Sequence, residues 1–158
     1  MCCAWMRSTG LWLWCERRLT SPVGSGVGDG RAVAMPPKRA RDDGIAWGVL
    51  STGDIAHDFS QALKQTPNAV LRAVASRSMA TAEAFAAQHG YEKAYGSYEA
   101  LVADSSVDIV YIATPHAFHC DNILMCLEAG KHVLCEKSMV VSGAQAEKCV
   151  SKAREKGA

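Results

Sequence analysis

The sequence predicts an α/β domain with a doubly wound parallel sheet. Two observations carry this reading. From residue 45 onward, short apolar runs alternate with helix-like amphipathic segments along the whole remaining chain. The runs are also too apolar to leave one face wet, so each strand needs helices on both sides, reached by right-handed crossovers.

Five strands are predicted, over "IAWGVL" (45–50), "AVLRAVAS" (69–76), "KAYG" (93–96), "VDIVYIAT" (107–114) and "HVLCEK" (132–137). The helices between them carry their own punctuation. One runs over 54–65 and opens at Asp54. A second covers 79–89, with Ser78 as cap and Gly90 as stop, and a short third covers 98–103 behind Ser97. Thr114-Pro115 precedes a fourth over 116–129, which ends at Gly130; Ser142 and Gln145 form a capping box for the last.

Composition excludes several classes. The 158 residues are 49% hydrophobic and 21% charged, ordinary for a globular protein with a real core. Seventeen Lys and Arg against 16 Asp and Glu leave a formal charge of +1, which gives no reason to expect a nucleic acid or an anionic membrane as partner. Seven cysteines, at 2, 3, 15, 120, 126, 135 and 149, include no C-x-x-C and no metal-ligand spacing, so no metal is expected and the thiols read as reduced and intracellular. "GLWLWC" is followed at once by "ERR", and no apolar run approaches the roughly 20 residues of a membrane span.

Residues 1–44 read differently. They hold three of the four tryptophans, "SPVGSGVGDG" and the basic run "PPKRARDD", without sustained periodicity. The expectation is a disordered or leader segment ahead of the domain at 45–158. A mitochondrial or plastid transit segment is an alternative that four acidic residues weaken, and "PKRAR" fits a nuclear localisation patch or a solvated tail. The expected location is cytoplasmic. At the other end, "KAREKGA" closes a helix where a further strand would be expected, so the domain reads as incomplete at its C-terminus.

Four motifs fall at the carboxyl tips of predicted strands. In "GVLSTGDIA" the first strand runs through Ser51 and Gly53 into a helix at Asp54, and a helix start offers free N–H groups to a pyrophosphate. Ser51 stands where the G-x-G-x-x-G pattern has glycine. The second strand ends in "VASRS". An NAD site would place an acid there, whereas Ser76 and Arg77 suit a 2′-phosphate, so the implied cofactor is NADP. The fourth strand leads into "ATPHAFH", bringing Thr114, Pro115 and His119 to the same edge. The fifth ends in an acid and a base, Glu136 and Lys137, with no turn residue before them.

In order and spacing, "GVLSTGDIAHDF", "AVASRS", "AFAAQHG", "KAYGSYEAL", "VDIVYIATPHAFH" and "CLEAGKHVLCEKSM" resemble the cofactor-binding Rossmann half of the glucose-fructose oxidoreductase, inositol dehydrogenase and MocA family. The resemblance covers residues 45–158 and is greatest toward the branch that oxidises dihydrodiols and D-xylose with NADP. It implies that Ser51, Gly53, Asp54 and Ile55 hold the pyrophosphate turn and that Ser76 and Arg77 take the adenosine phosphate. Tyr111, Thr114, Pro115 and His119 would line the nicotinamide side. Glu136 and Lys137 would correspond to the family's Glu-Lys-Pro motif, with Ser138 in place of the proline and Lys137 as the catalytic residue.

The resemblance further implies a sugar or dihydrodiol substrate. It also implies a second α/β domain, absent from this chain, that binds substrate, supplies a general acid/base and builds a homodimer. The competing expectation is a non-catalytic NADP-binding module or truncated isoform.

Overall fold

In the computed structural model, which describes residues 44–158, five parallel strands form one sheet in the order β3-β2-β1-β4-β5. The strands are β1 (Ile45–Leu50), β2 (Ala69–Ala75), β3 (Lys93–Tyr95), β4 (Ile109–Ile112) and β5 (His132–Cys135). The helices are α1 (Asp54–Lys64), α2 (Met79–His89), α3 (Tyr98–Ala103), α4 (His119–Glu128) and α5 (Gly143–Lys156). The expectations for the leader, transit segment and basic patch lie outside the described residues. No helix among the described residues is long and apolar enough to cross a membrane.

The doubly wound fold class holds, and the strands show why their sequences looked apolar throughout. Successive side chains of a strand point to opposite faces. Val49, Val74 and Tyr111 enter one core with Phe59 and Leu63 of α1 and Phe85 of α2. Leu50, Ala73, Ala75, Val110 and Ile112 enter the other, with Leu101 of α3 and Ile123 and Leu127 of α4. Both faces are buried, so neither set of positions could be polar.

Element ends shift where tertiary contacts decide them. The apolar runs predicted as strands over 107–114 and 132–137 are longer than β4 and β5. Single rungs extend the ladders, from Ala113 N to Leu50 O (3.1 Å) and from Glu136 N to Ile112 O (3.0 Å). The predicted helix over 116–129 divides into a 3-10 turn at His116–Phe118 and α4. Gly90 ends α2 at φ +79°, as expected of a C-terminal glycine, and Ser97 Oγ accepts from Ala100 N at 3.2 Å. Ser78 occupies the α2 N-cap position, but its side chain makes no capping bond. At the last helix Ser142 Oγ accepts from Gln145 N, while Gln145 Oε1 accepts from Val141 N, one residue earlier than a reciprocal box.

One buried group is poorly satisfied. His89, 1% exposed at the end of α2, stacks on Phe85 (centroids 4.3 Å) and meets the His57 ring edge-on (4.6 Å), and neither of its ring nitrogens has a hydrogen-bond partner. Burial lowers its pKa, and the neighbouring His57 and Lys64 lower it further. The folded state therefore prefers the neutral ring, and the unfolded chain binds more protons once pH falls below about 6.5. Stability should fall as pH drops from about 6.5 toward the lowered native value and then level off.

His89→Leu should flatten that slope in thermal melts recorded between pH 5 and 7.5. It should also raise the midpoint at pH 7.5, because an unpartnered buried polar group is worth roughly 1–3 kcal/mol against the fold. An unchanged slope would remove His89 as its source.

Candidate functional site at the carboxyl edge of the sheet

β1 lies between β2 and β4, so the chain leaves β1 toward one side of the sheet and returns through β3 to enter β4 on the other. This switch of direction opens a crevice at the carboxyl ends of the strands. The four predicted motifs stand side by side along that edge. Leu50 pairs with Ala75 and with Ile112, and Ile112 pairs with Cys135, so the tips of β2, β1, β4 and β5 are level.

The turn after β1 is shaped as a phosphate-facing loop requires. Ser51 adopts φ +90°, a left-handed conformation that glycine takes more readily. It is held there by its N–H donating to Ala75 O at 2.9 Å. Gly53 is the N-cap of α1 and provides no side-chain cap, and the first helical bond of α1 runs from His57 N to Gly53 O. The N–H groups of Asp54, Ile55 and Ala56 therefore have no intrahelical acceptor. Gly53 is exposed, and a Cβ there would project into space with only Ser51 Oγ nearby, at 3.9 Å. Asp54 is exposed in the first turn, while Ile55 packs partly into the core beneath.

At the β2 tip, Ser76 N donates to Tyr95 O at 3.0 Å, and Arg77 extends into solvent. Tyr98, half-buried at the start of α3, senses the Arg77 charge: burial raises its phenol pKa and Arg77 offsets part of the rise. No acid occupies positions 75–78.

Behind the β4 and β5 tips, the predicted residues form a connected network. His119 is 1% exposed, with Nε2 2.7 Å from Thr114 O and Nδ1 2.8 Å from Ser138 O. Its ring thus bridges the loop after β4 to the turn after β5. Thr114 Oγ1 accepts from Asn122 Nδ2 at 2.9 Å. Tyr111 is fully buried, stacked on Phe59 at 3.7 Å, and its hydroxyl donates to Glu136 Oε1 at 2.7 Å. Burial, then the Glu136 acceptor, pushes the Tyr111 hydroxyl far above its usual range, so it remains a donor. The other Glu136 oxygen accepts from Lys137 N at 3.0 Å.

Glu136 is itself buried, and no ion pair among those of the described residues joins it to the Lys137 side chain. Lys137 is exposed at the rim, as is Pro115.

The edge therefore has two layers. Gly53, Asp54, Arg77, Pro115 and Lys137 are exposed at its surface, with Ser51 and Ser76 partly so. Tyr111 and His119, expected to line the site, are covered instead. The Tyr111 hydroxyl is bonded to the Glu136 carboxylate, and the His119 ring nitrogens meet the carbonyls of Thr114 and Ser138. Asn122, Phe59 and Tyr98 were missed from the sequence. The only signal for Asn122 was its place one turn after His119 on a helix whose start was already implicated.

A parallel sheet with a phosphate-type turn at its switch point defines the class of dinucleotide-binding α/β domains. The chain belongs to the Gfo/Idh/MocA group, described as "Oxidoreductase family, NAD-binding Rossmann fold", whose pattern matches residues 45–158. It is 46% identical over 115 residues to mouse trans-1,2-dihydrobenzene-1,2-diol dehydrogenase, covering 72% of this chain and 34% of that protein. An NAD binding oxidoreductase from Klebsiella pneumoniae superposes with a TM-score of 0.70 at 34% identity, covering 72% of this chain and 32% of its own. KijD10, a 3-ketoreductase from Actinomadura kijaniata solved in complex with NADP and TDP-benzene, gives 0.69 at 37% identity, covering 72% and 35%. The chain spans about a third of the length of these relatives.

Proposed function

We propose that residues 45–158 form the nucleotide-binding half of an NADP-dependent dehydrogenase acting on a CH–OH group of a sugar or trans-dihydrodiol. The observation that carries this reading is the level alignment of four strand tips, with a basic rather than acidic residue beyond β2.

The free N–H groups at the start of α1, approached across Gly53 and Ser51, suit the pyrophosphate. Ser76 and Arg77 suit the 2′-phosphate: the guanidinium fork can grip it through two parallel hydrogen bonds, and an acid there would repel it. Thr114, Pro115 and the carbonyls fixed by His119 form the wall on the nicotinamide side. The bound nicotinamide supplies the hydride acceptor.

As hydride leaves the substrate carbon, negative charge builds on the hydroxyl oxygen. The Lys137 ammonium, free at the rim, hydrogen-bonds that oxygen and stabilises the charge. Glu136 fixes the backbone of this turn from below through Lys137 N, and Tyr111 fixes Glu136. The substrate wall and proton acceptor would come from a second domain, which would also build a homodimer; the proposed location is cytoplasmic. The mouse relative's name motivates the dihydrodiol, and the sequence resemblance adds the sugar.

Titration of the purified chain with NADPH and NADH, followed by nicotinamide fluorescence, tests the cofactor half of the proposal. NADPH should bind at least about tenfold more tightly, the difference expected of one charge-assisted contact. Equal affinities would overturn NADP as the cofactor, and binding of neither would overturn the nucleotide site.

A further inference from the structure

Behind the rim, two thiols meet between α4 and α5. Cys120 Sγ and Cys149 Sγ lie 3.8 Å apart, and Cys149 Sγ is also 4.0 Å from Cys120 O. Both residues are buried, at 5% and 3% exposure. A disulfide needs about 2.05 Å between sulfurs, so the pair stands one small side-chain adjustment from bonding distance.

Access comes from a second feature. A groove of about 790 Å³ runs along β5, lined by Val133, Cys135, Val150 and Ala153, and Cys149 borders it. Because Cys149 is 3% exposed, a small oxidant reaches its sulfur from this groove only through local side-chain motion. The helix bearing that sulfur docks mainly on α4, where Lys152 and Lys156 both pair with Glu128 (2.8 and 2.7 Å), so the two helices that carry the thiols are held against each other.

We propose that Cys120 and Cys149 are an oxidation site that a peroxide closes into a disulfide, stapling α5 to the first turn of α4. The electron balance is complete with one hydrogen peroxide. The Cys149 sulfur attacks a peroxide oxygen, the O–O bond breaks, and a sulfenic acid and one water result. The Cys120 sulfur then attacks the Cys149 sulfur, expelling the second water. Two thiols give up two protons and two electrons, and the peroxide is reduced to two waters. Burial, then the adjacent Cys120, raises the Cys149 thiol above its usual range, so thiolate is scarce at neutral pH and the reaction accelerates in alkaline solution.

The linkage would bear on the rim, because Cys120 follows His119 in the same helical turn. Its formation does not depend on the nucleotide assignment, and the test reads the linkage directly.

The full chain is treated with hydrogen peroxide at mildly alkaline pH, remaining thiols are alkylated, and tryptic peptides are mapped by mass spectrometry. The expected product is a Cys120–Cys149 linked peptide as the principal intrachain crosslink, lost in C120S and in C149S. Because Cys126 shares the tryptic peptide with Cys120, C126S should retain the linkage. The oxidised wild-type chain should melt about 5 °C or more above the reduced one, an increase absent in C149S. Recovery of Cys120 and Cys149 as alkylated thiols after other cysteines have oxidised would overturn the proposal, as would Cys149 linked mainly to a different cysteine.

Discussion

Arg77→Asp should weaken NADPH binding by about 10- to 150-fold while leaving NADH within a few-fold. The expected loss corresponds to one charge-assisted contact of about 1.5–3 kcal/mol. The reversal of charge matters as much as the loss of the fork, since an acid at this tip suits a ribose hydroxyl and repels a phosphate. Arg77→Lys should fall between the two, keeping the charge without the planar pair of donors. Parallel fluorescence titrations with both nucleotides provide the measurement, and equal weakening of the two would show that Arg77 does not read the 2′-phosphate. Arg77 is exposed and makes no hydrogen bond or ion pair among the described residues, so the variant should keep its melting midpoint.

Lys137→Met should act on the chemical step. When residues 45–158 replace the matching third of the mouse relative, the variant is expected to turn over its dihydrodiol about 10²- to 10³-fold more slowly than the unmutated graft. Removing a donor aimed at developing charge has that size of effect, and methionine keeps the length and apolar stem of lysine. The affinity for NADPH should change by no more than a few-fold, because the proposed phosphate contacts lie at the β1 and β2 tips. Turnover within a few-fold of the unmutated graft would deny Lys137 its role, whatever happened to binding.

The positions of both residues at strand tips were legible in the sequence because a parallel sheet aligns every carboxyl end on one side, so a residue that follows an apolar run is assigned to the rim by topology. Ser51 was legible as an unusual turn residue, and its φ of +90° is the conformation that the expected glycine would have supplied. The depth of the motif residues was not legible. Spacing alone puts Tyr111 and His119 beside Thr114 and Glu136; only packing shows that Phe59 covers the Tyr111 ring and that two carbonyls enclose the imidazole. His89 read merely as the last residue of a helix, because burial of a polar ring at a helix end depends on what the neighbouring helix brings, here His57. The Cys120–Cys149 proximity depends on how α5 docks, and nothing in their 29-residue separation announced it.

The imidazole of His119 has a thermodynamic consequence. The ring lies buried between the Thr114 and Ser138 carbonyls, so two loops from different strands pack against one side chain. Any ligand that rests against those loops meets a surface already packed when the chain folded. Loops packed this way lose less entropy on association than loose ones would, and affinity gained this way needs no additional contact.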